Sequence, residues 1–112
     1  MKHGKIFASG DIVLLDFCPQ SGHEQMGKRP ALVVSNKIFC EFTKLAIVCP
    51  ITSTKRNIPI QVELDNRTKT QGVIMCEQSK TLDLYARNAK FLEKAPKDLT
   101  KEVIELIHSF LK

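Results

Sequence analysis

Tryptophan is absent, tyrosine occurs once (Tyr85), and six phenylalanines bring the aromatic share to only 6%. Any stacking surface must therefore rest on very few rings. No apolar run approaches the roughly 20 residues needed to cross a bilayer. The opening Met1-Lys2-His3-Gly4-Lys5-Ile6-Phe7-Ala8 is too short and too polar for the apolar centre of a secretion signal. A cytoplasmic protein with no membrane association is expected. The cysteines, Cys18, Cys40, Cys49 and Cys76, are widely spaced and form no Cys-x-x-Cys; His3, His23 and His108 do not fall at ligand spacing from them. No metal and no cofactor are expected, and the thiols are read as reduced and packed like small apolar groups. Internal repeats, low-complexity tracts and linkers are missing too, so residues 1–112 are read as a single domain.

What is present is an ordinary globular balance, 43% hydrophobic and 26% charged, in a chain of 112 residues with room for one small core. Lys and Arg number 17 against 12 Asp and Glu, a net charge of +5. That excess favours a polyanionic partner, either nucleic acid or an acidic protein segment.

The apolar pattern is mostly that of strands. Asp11–Phe17 is a β-type run between Gly10 and Pro19, and Pro30–Ser35 is continuously apolar, as in a strand buried on both faces. Asn36 suits the cap of a short helical turn over Lys37–Phe42. Leu45–Ile51 is a third strand, with Pro50 marking an edge or a bulge. Ile58–Leu64 alternates with period two, Gly72–Cys76 is a fifth strand, and Ala89–Leu92 forms a last short one. Pro96 opens the one long helix at its first position, with Asp98 in the first turn. Leu99, Val103, Leu106, Ile107, Phe110 and Leu111 form its apolar stripe, which serves either core packing or a dimer interface. The expected architecture is a small, strongly bent antiparallel sheet or barrel with a C-terminal helix packed on it.

The richest stretch is Gly22-His23-Glu24-Gln25-Met26-Gly27-Lys28-Arg29-Pro30, directly followed by the apolar Ala31-Leu32-Val33-Val34. Acid, base, amide and cation lie within seven positions, and Arg29 stands at the rim of a stiff element with Pro30 fixing the chain beside it. A guanidinium held this way keeps its direction, as a phosphodiester site requires.

Three segments together resemble the MazF/PemK/Kid family of toxin ribonucleases. They are Gly10-Asp11-Ile12-Val13 leading to Asp16-Phe17; Gly22-His23-Glu24-Gln25 with Arg29-Pro30-Ala31-Leu32-Val33-Val34; and Val48-Cys49-Pro50-Ile51-Thr52-Ser53. Gly72-Val73-Ile74 and Glu77-Gln78-Ser79-Lys80-Thr81-Leu82-Asp83 reinforce them, and the match runs from about residue 9 to the end without large gaps. The resemblance implies a homodimer of SH3-like barrels, the toxin of a type II toxin–antitoxin pair, held in check by an acidic antitoxin. It implies metal-independent, sequence-specific cutting of single-stranded RNA.

The family's arginine and threonine fall on Arg29 and Thr52. Its histidine falls on His23 and its glutamate on Glu24, which compete for the role of general base. RNA-binding positions fall on Glu77 and Gln78, and Gln25, Lys28 and Lys80 extend that surface. The basic turn Lys55-Arg56, with Arg67 and Lys69 in a later turn, either attracts phosphate or only solubilises. Phe17 is the best stacking candidate, a core phenylalanine being its other reading. One departure stands out: some members carry an arginine where this chain has Met75.

Two other function classes share the architecture. One is similar to CcdB, a toxin that binds DNA gyrase without cutting nucleic acid; its C-terminal tryptophan is absent here, where the chain ends Phe110-Leu111-Lys112. The other is a non-catalytic RNA-binding barrel, in which Thr52 would be dispensable.

Overall fold

The computed structural model describes residues 5–17, 28–54 and 58–112. His23, Glu24, Gln25, Lys55 and Arg56 therefore lie outside the described residues, as does Cys18. The elements run β1 (Asp11–Asp16), β2 (Lys28–Val33), α1 (Lys37–Thr43), β3 (Ala46–Thr52), β4 (Gln61–Glu63), β5 (Val73–Met75), β6 (Lys80–Leu82), β7 (Lys90–Lys94) and α2 (Lys97–Phe110). Every strand pairing is antiparallel, and the ladder follows the order β4-β5-β3-β2-β1-β7, with β6 joined to β3. The expected antiparallel sheet with a C-terminal helix is the fold observed.

Alternation along the three central strands feeds two separate cores. Ile12, Leu32, Cys49 and Ile51 face one, together with Val62, Ile74, Leu99 and Val103. Val13, Leu15, Ala31, Val33, Ala46 and Val48 face the other, with Phe7, Cys40 and Leu84. Successive side chains point to opposite faces, so a strand covered on both must be apolar throughout. That is why β2 reads as an unbroken apolar run. The first core lies under α2; the second lies under α1, the N-terminal segment and the turns of residues 84–88. Cys40, Cys49 and Cys76 are free and buried, and burial pushes the Cys49 and Cys76 thiols up to about 12 and about 11.

Pro50 marks neither an edge nor a bulge. One flank of β3 pairs with β2 (Ala31 opposite Pro50), while the other pairs with β6 over Ala46–Val48 and with β5 over Ile51–Thr52. Pro50, which has no N–H to offer, falls in the gap where that flank exchanges one partner for the next. The bulge is elsewhere, in the β1–β7 pairing, where the register shifts between Ile12 and Val13.

Other boundaries move for local reasons. The alternation expected over Ile58–Leu64 survives in burial, but the ladder covers only Gln61–Glu63, because a turn with Gln61 N–H bonded to the Ile58 carbonyl precedes it. Glu77 and Gln78 sit in a single 3-10 turn rather than at a strand end, and β6, with its mostly exposed Lys80-Thr81-Leu82, carries too little apolar pattern to be read from sequence. Pro96 caps α2 in an extended conformation one residue before the first helical position. The Asn36 cap is as expected, its side chain accepting the Phe39 N–H at 2.9 Å.

Two side-chain devices hold the loop between β4 and β5 in place. Glu93 on β7 accepts the Lys69 N–H at 3.1 Å and both the N–H and hydroxyl of Thr70 at 2.7 Å, gripping the loop between β4 and β5. Arg67 in the same loop forks between Asp65 and Asp98, reaching each at 2.8 Å and so fastening the loop to the first turn of α2. Burial pushes the Glu93 carboxyl up, but the bonds from Thr70 and Lys69 outweigh it and hold it below its ordinary value. A depressed carboxyl stabilises the fold above the unfolded-state value and ceases to do so as pH falls through the folded-state value. Glu93→Gln should accordingly lose urea resistance less steeply than the parent as pH drops below about 4.5, the ordinary glutamate value.

Gly72 leads into β5 where a side chain has no room. Its φ is +133°, and a Cβ there would lie 2.5 Å from the Thr52 carbonyl oxygen and 3.1 Å from Ile51 Cγ2. Gly72→Ala must therefore adopt a backbone that L-residues avoid while also pushing β5 away from β3. A loss of about 2–4 kcal/mol in equilibrium urea unfolding is expected.

Candidate functional site

The register of the central strands places the two leading residues together. Ala31 pairs with Pro50, Leu32 with Cys49 and Val33 with Val48. Continued by two residues, that register sets Arg29 opposite Thr52. Alternation puts both on the face opposite the α2 core, and Thr52 in turn pairs with Val73. The structure has a cleft there of about 530 Å³, lined by Arg29, Pro30, Ile51, Thr52, Ser53, Thr54, Gln71 and Met75. Arg29 is exposed, and among the described residues no ion pair engages its guanidinium.

Thr52 is half-buried and its hydroxyl oxygen accepts the Thr54 N–H at 3.2 Å. The turn-capping role and a role in the cleft are thus compatible. One lone pair is used to fix the hydroxyl, and the O–H itself stays available to donate. Met75 lines the same cleft, so the position at which the resemblance allows a second arginine is apolar here. Charge stabilisation among the described lining residues falls to Arg29 alone.

The flanking residues divide. Phe17 and Lys80 meet, the Lys80 ammonium standing 5.6 Å from the ring centroid, and Phe17 packs partly against the second core. The core reading of Phe17 holds in part: it packs against the second core, and its ring carries the Lys80 ammonium. Lys28 behaves differently from Arg29. Alternation turns it to the opposite face of β2, where it pairs with Asp16 at 3.3 Å. Asp16 also accepts from Asn88 Nδ2 at 3.0 Å, and that bond, with Lys28, holds its carboxyl below the usual value.

Glu77 accepts the Gln61 side-chain N–H at 2.9 Å, and Gln61 pairs with Met75, but neither Glu77 nor Gln61 is among the described residues that line the cleft. The Gln61 Oε1 is buried and has no partner among the described residues. Gln78 is exposed in the same 3-10 turn. Arg67 is tied up between two carboxylates, so the later basic turn is not a free pair of cations.

Sequence reasoning did not find Gln71, Ser53 or Thr54 as lining residues. Gln71 precedes Gly72 in an otherwise featureless polar stretch; only the pairing of β5 with the end of β3 carries it beside Thr52. Arg87 was missed as well. Its guanidinium donates to the carbonyls of Asp16 and Phe17 at 3.1 and 2.7 Å and so steadies the end of β1. Nothing in the local sequence signals a partner some 70 residues away.

The family model described as PemK-like, MazF-like toxin of type II toxin–antitoxin system matches residues 8–111. The chain belongs to this family. It is 38% identical over 106 residues to the endoribonuclease PemK of Escherichia coli, covering 91% of this chain and 80% of that one. It is 39% identical over 83 residues to the endoribonuclease EndoA of Bacillus subtilis, covering 70% and 72%. Among solved structures, MazF from Deinococcus radiodurans superposes with a TM-score of 0.85 at 37% identity, covering 96% of this chain and 98% of that one. The MazE–MazF complex from the same organism gives 0.83 at 31% identity, with 96% and 97% covered. The family assignment thus spans both cores and the cleft. Among the described residues no helix is long and apolar enough to cross a membrane.

Proposed function

We propose that this chain is a cytoplasmic, homodimeric toxin that cuts single-stranded RNA in the Arg29–Thr52 cleft without a metal, and that an acidic antitoxin restrains it. The observation that carries the reading is the meeting of a guanidinium and a fixed hydroxyl in one open cleft of about 530 Å³. Relatives named endoribonucleases and a relative solved as a MazE–MazF complex support it.

The chemistry follows from what RNA supplies. The ribose 2′-hydroxyl attacks the adjacent phosphorus, and because nucleophile and electrophile belong to one nucleotide the attack is intramolecular. Charge builds on the non-bridging oxygens. Arg29, with its planar guanidinium fork, holds two of them as the phosphorane forms. The Thr52 hydroxyl donates to the same phosphate. A base takes the 2′-proton and an acid returns one to the departing 5′-oxygen. His23 is proposed as that base, in preference to Glu24. The bond between phosphorus and the 5′-oxygen breaks, leaving a 2′,3′-cyclic phosphate and a 5′-hydroxyl. DNA has no 2′-hydroxyl and is bound without being cut.

Phe17, Gln25, Lys28, Lys55, Arg56, Glu77, Gln78 and Lys80 are proposed to contribute to RNA binding around that centre. Lys80 above the Phe17 ring offers a stacking face and a phosphate contact in one place. Lys28 is the weakest of them, since its ammonium is shared with Asp16.

Incubation with a long RNA in excess chelator, followed by mapping of 5′ ends, should give discrete cuts with 5′-hydroxyl termini. Arg29→Ala should lower the cutting rate by at least about a hundredfold, and Thr52→Val by about tenfold or more, with folding preserved. Undiminished cutting by Arg29→Ala, or loss of wild-type cutting in chelator, contradicts the mechanism. With His23 as base, the single-turnover rate should fall along an acid limb as pH drops, and that limb should vanish in His23→Ala.

A further inference from the structure

The strand end that carries Arg29 runs beyond its neighbours on both sides. The β1–β2 ladder continues to Leu15 opposite Arg29 and Asp16 opposite Lys28. The pairing of β1 with β7 stops at Leu14 opposite Lys90, and that of β2 with β3 begins at Ala31 opposite Pro50. Leu15 and Asp16, with Arg29 and Lys28 opposite, thus form a two-stranded extension with no third strand paired to it among the described residues. A ribbon of two strands has little stability of its own. A guanidinium carried on it keeps its direction only if something else braces the ribbon.

The turn of residues 83–89 stands where β7 would continue. The Asp16 N–H donates to the Arg87 carbonyl at 3.0 Å, as it would to a neighbouring strand. The Arg87 guanidinium donates in return to the carbonyls of Asp16 and Phe17, at 3.1 and 2.7 Å. Hydrogen bonds from a charged donor are about twice as strong as neutral ones. Asn88 Nδ2 donates to one oxygen of the Asp16 carboxylate at 3.0 Å, and the other oxygen pairs with Lys28 at 3.3 Å. One carboxylate therefore joins the turn to β2, a single residue from Arg29. The turn is itself well held. Asp83 accepts the N–H groups of Tyr85 and Ala86 at 3.1 Å each, Leu84 is buried in the second core, and Asn88 takes the left-handed backbone at φ +56°.

We infer that Arg87 is a positioning residue for RNA cleavage, bracing the β1–β2 extension so that the Arg29 guanidinium keeps its aim at the scissile phosphate. The inference rests on the proposed RNA cleavage in the Arg29–Thr52 cleft. Arg87 does not line that cleft, so it acts only through the strand ends it holds. Its loss should show in the rate of the bound complex, which depends on one direction, and not in RNA binding, which is spread over many contacts.

The test is single-turnover cleavage of a long single-stranded RNA by the full chain over a range of protein concentrations. This separates the saturating rate from the concentration at half-saturation. Arg87→Ala should lower the saturating rate by about tenfold or more and move half-saturation by less than about threefold. Added to Arg29→Ala, the same change should cost nothing further, because an aim that no group uses cannot be lost. Asn88→Gly deletes the contact with Asp16 and tolerates the left-handed backbone; it should give a smaller loss of the same kind, and it carries the test if Arg87→Ala does not fold. A role confined to stability would cut the rate by the same factor with and without Arg29. That result, an effect on half-saturation alone, or an unchanged saturating rate in Arg87→Ala (in Asn88→Gly, where only that variant folds) would overturn the inference. No cutting by the wild-type protein, or undiminished cutting by Arg29→Ala, would instead overturn the proposed function.

Discussion

Strand β3 is the constraint on which everything else is built. It is flanked on one side by β2 and on the other by two different strands in succession, and residues Val48–Ile51 are buried without exception. A strand in that position has no freedom of register, because a slip of one residue would exchange its two apolar faces. The last residue of this fixed element is Thr52, and the first residues of its equally fixed neighbour β2 are Lys28 and Arg29. The chemistry is thus placed at the ends of the two least movable strands. Precise placement of a guanidinium and a hydroxyl comes from packing that lies elsewhere, in cores neither side chain enters.

The contrast between Lys28 and Arg29 shows how much a single position decides. Both are cations beside the same proline, and charge counting treats them alike. Pleating sends one toward Asp16 and the other toward the cleft. A neutralised ammonium on one face and a guanidinium free of described partners on the other are outcomes of period-two geometry alone. The same geometry carries the row of Arg29 and Thr52 onward through Val73 to Glu63 across four strands.

The parts of this organisation that were legible in the sequence are those written in local pattern. The continuous apolar run of Ala31–Val33, the alternation ending in Val62 and Leu64, the stripe from Leu99 and the Asn36 cap each state their structural role within a few residues. Arg29 and Thr52 were found through motif order. What could not be read depends on pairing between distant segments. The Pro50 gap exists only because β5 and β6 both choose β3. Gln71 enters the cleft only because Gly72 lets β5 press against the Thr52 carbonyl. β6 is too short and too polar to announce itself, and Arg87 finds its carbonyl partners through the tertiary fold.

The grip of Glu93 on Lys69 and Thr70 has a mechanical meaning. Strand β7, last on the path, is joined to the loop that follows β4, first on the path, through one carboxylate, and among the described residues no ladder of backbone hydrogen bonds pairs the two strands. A seam of that kind can part and reseal without unzipping any strand, in the manner of a clasp on a cylinder. Among the described elements it is the natural line along which the wall would breathe, and the amide protons of Lys69 and Thr70 are its built-in reporters, exchanging with solvent whenever the clasp is undone.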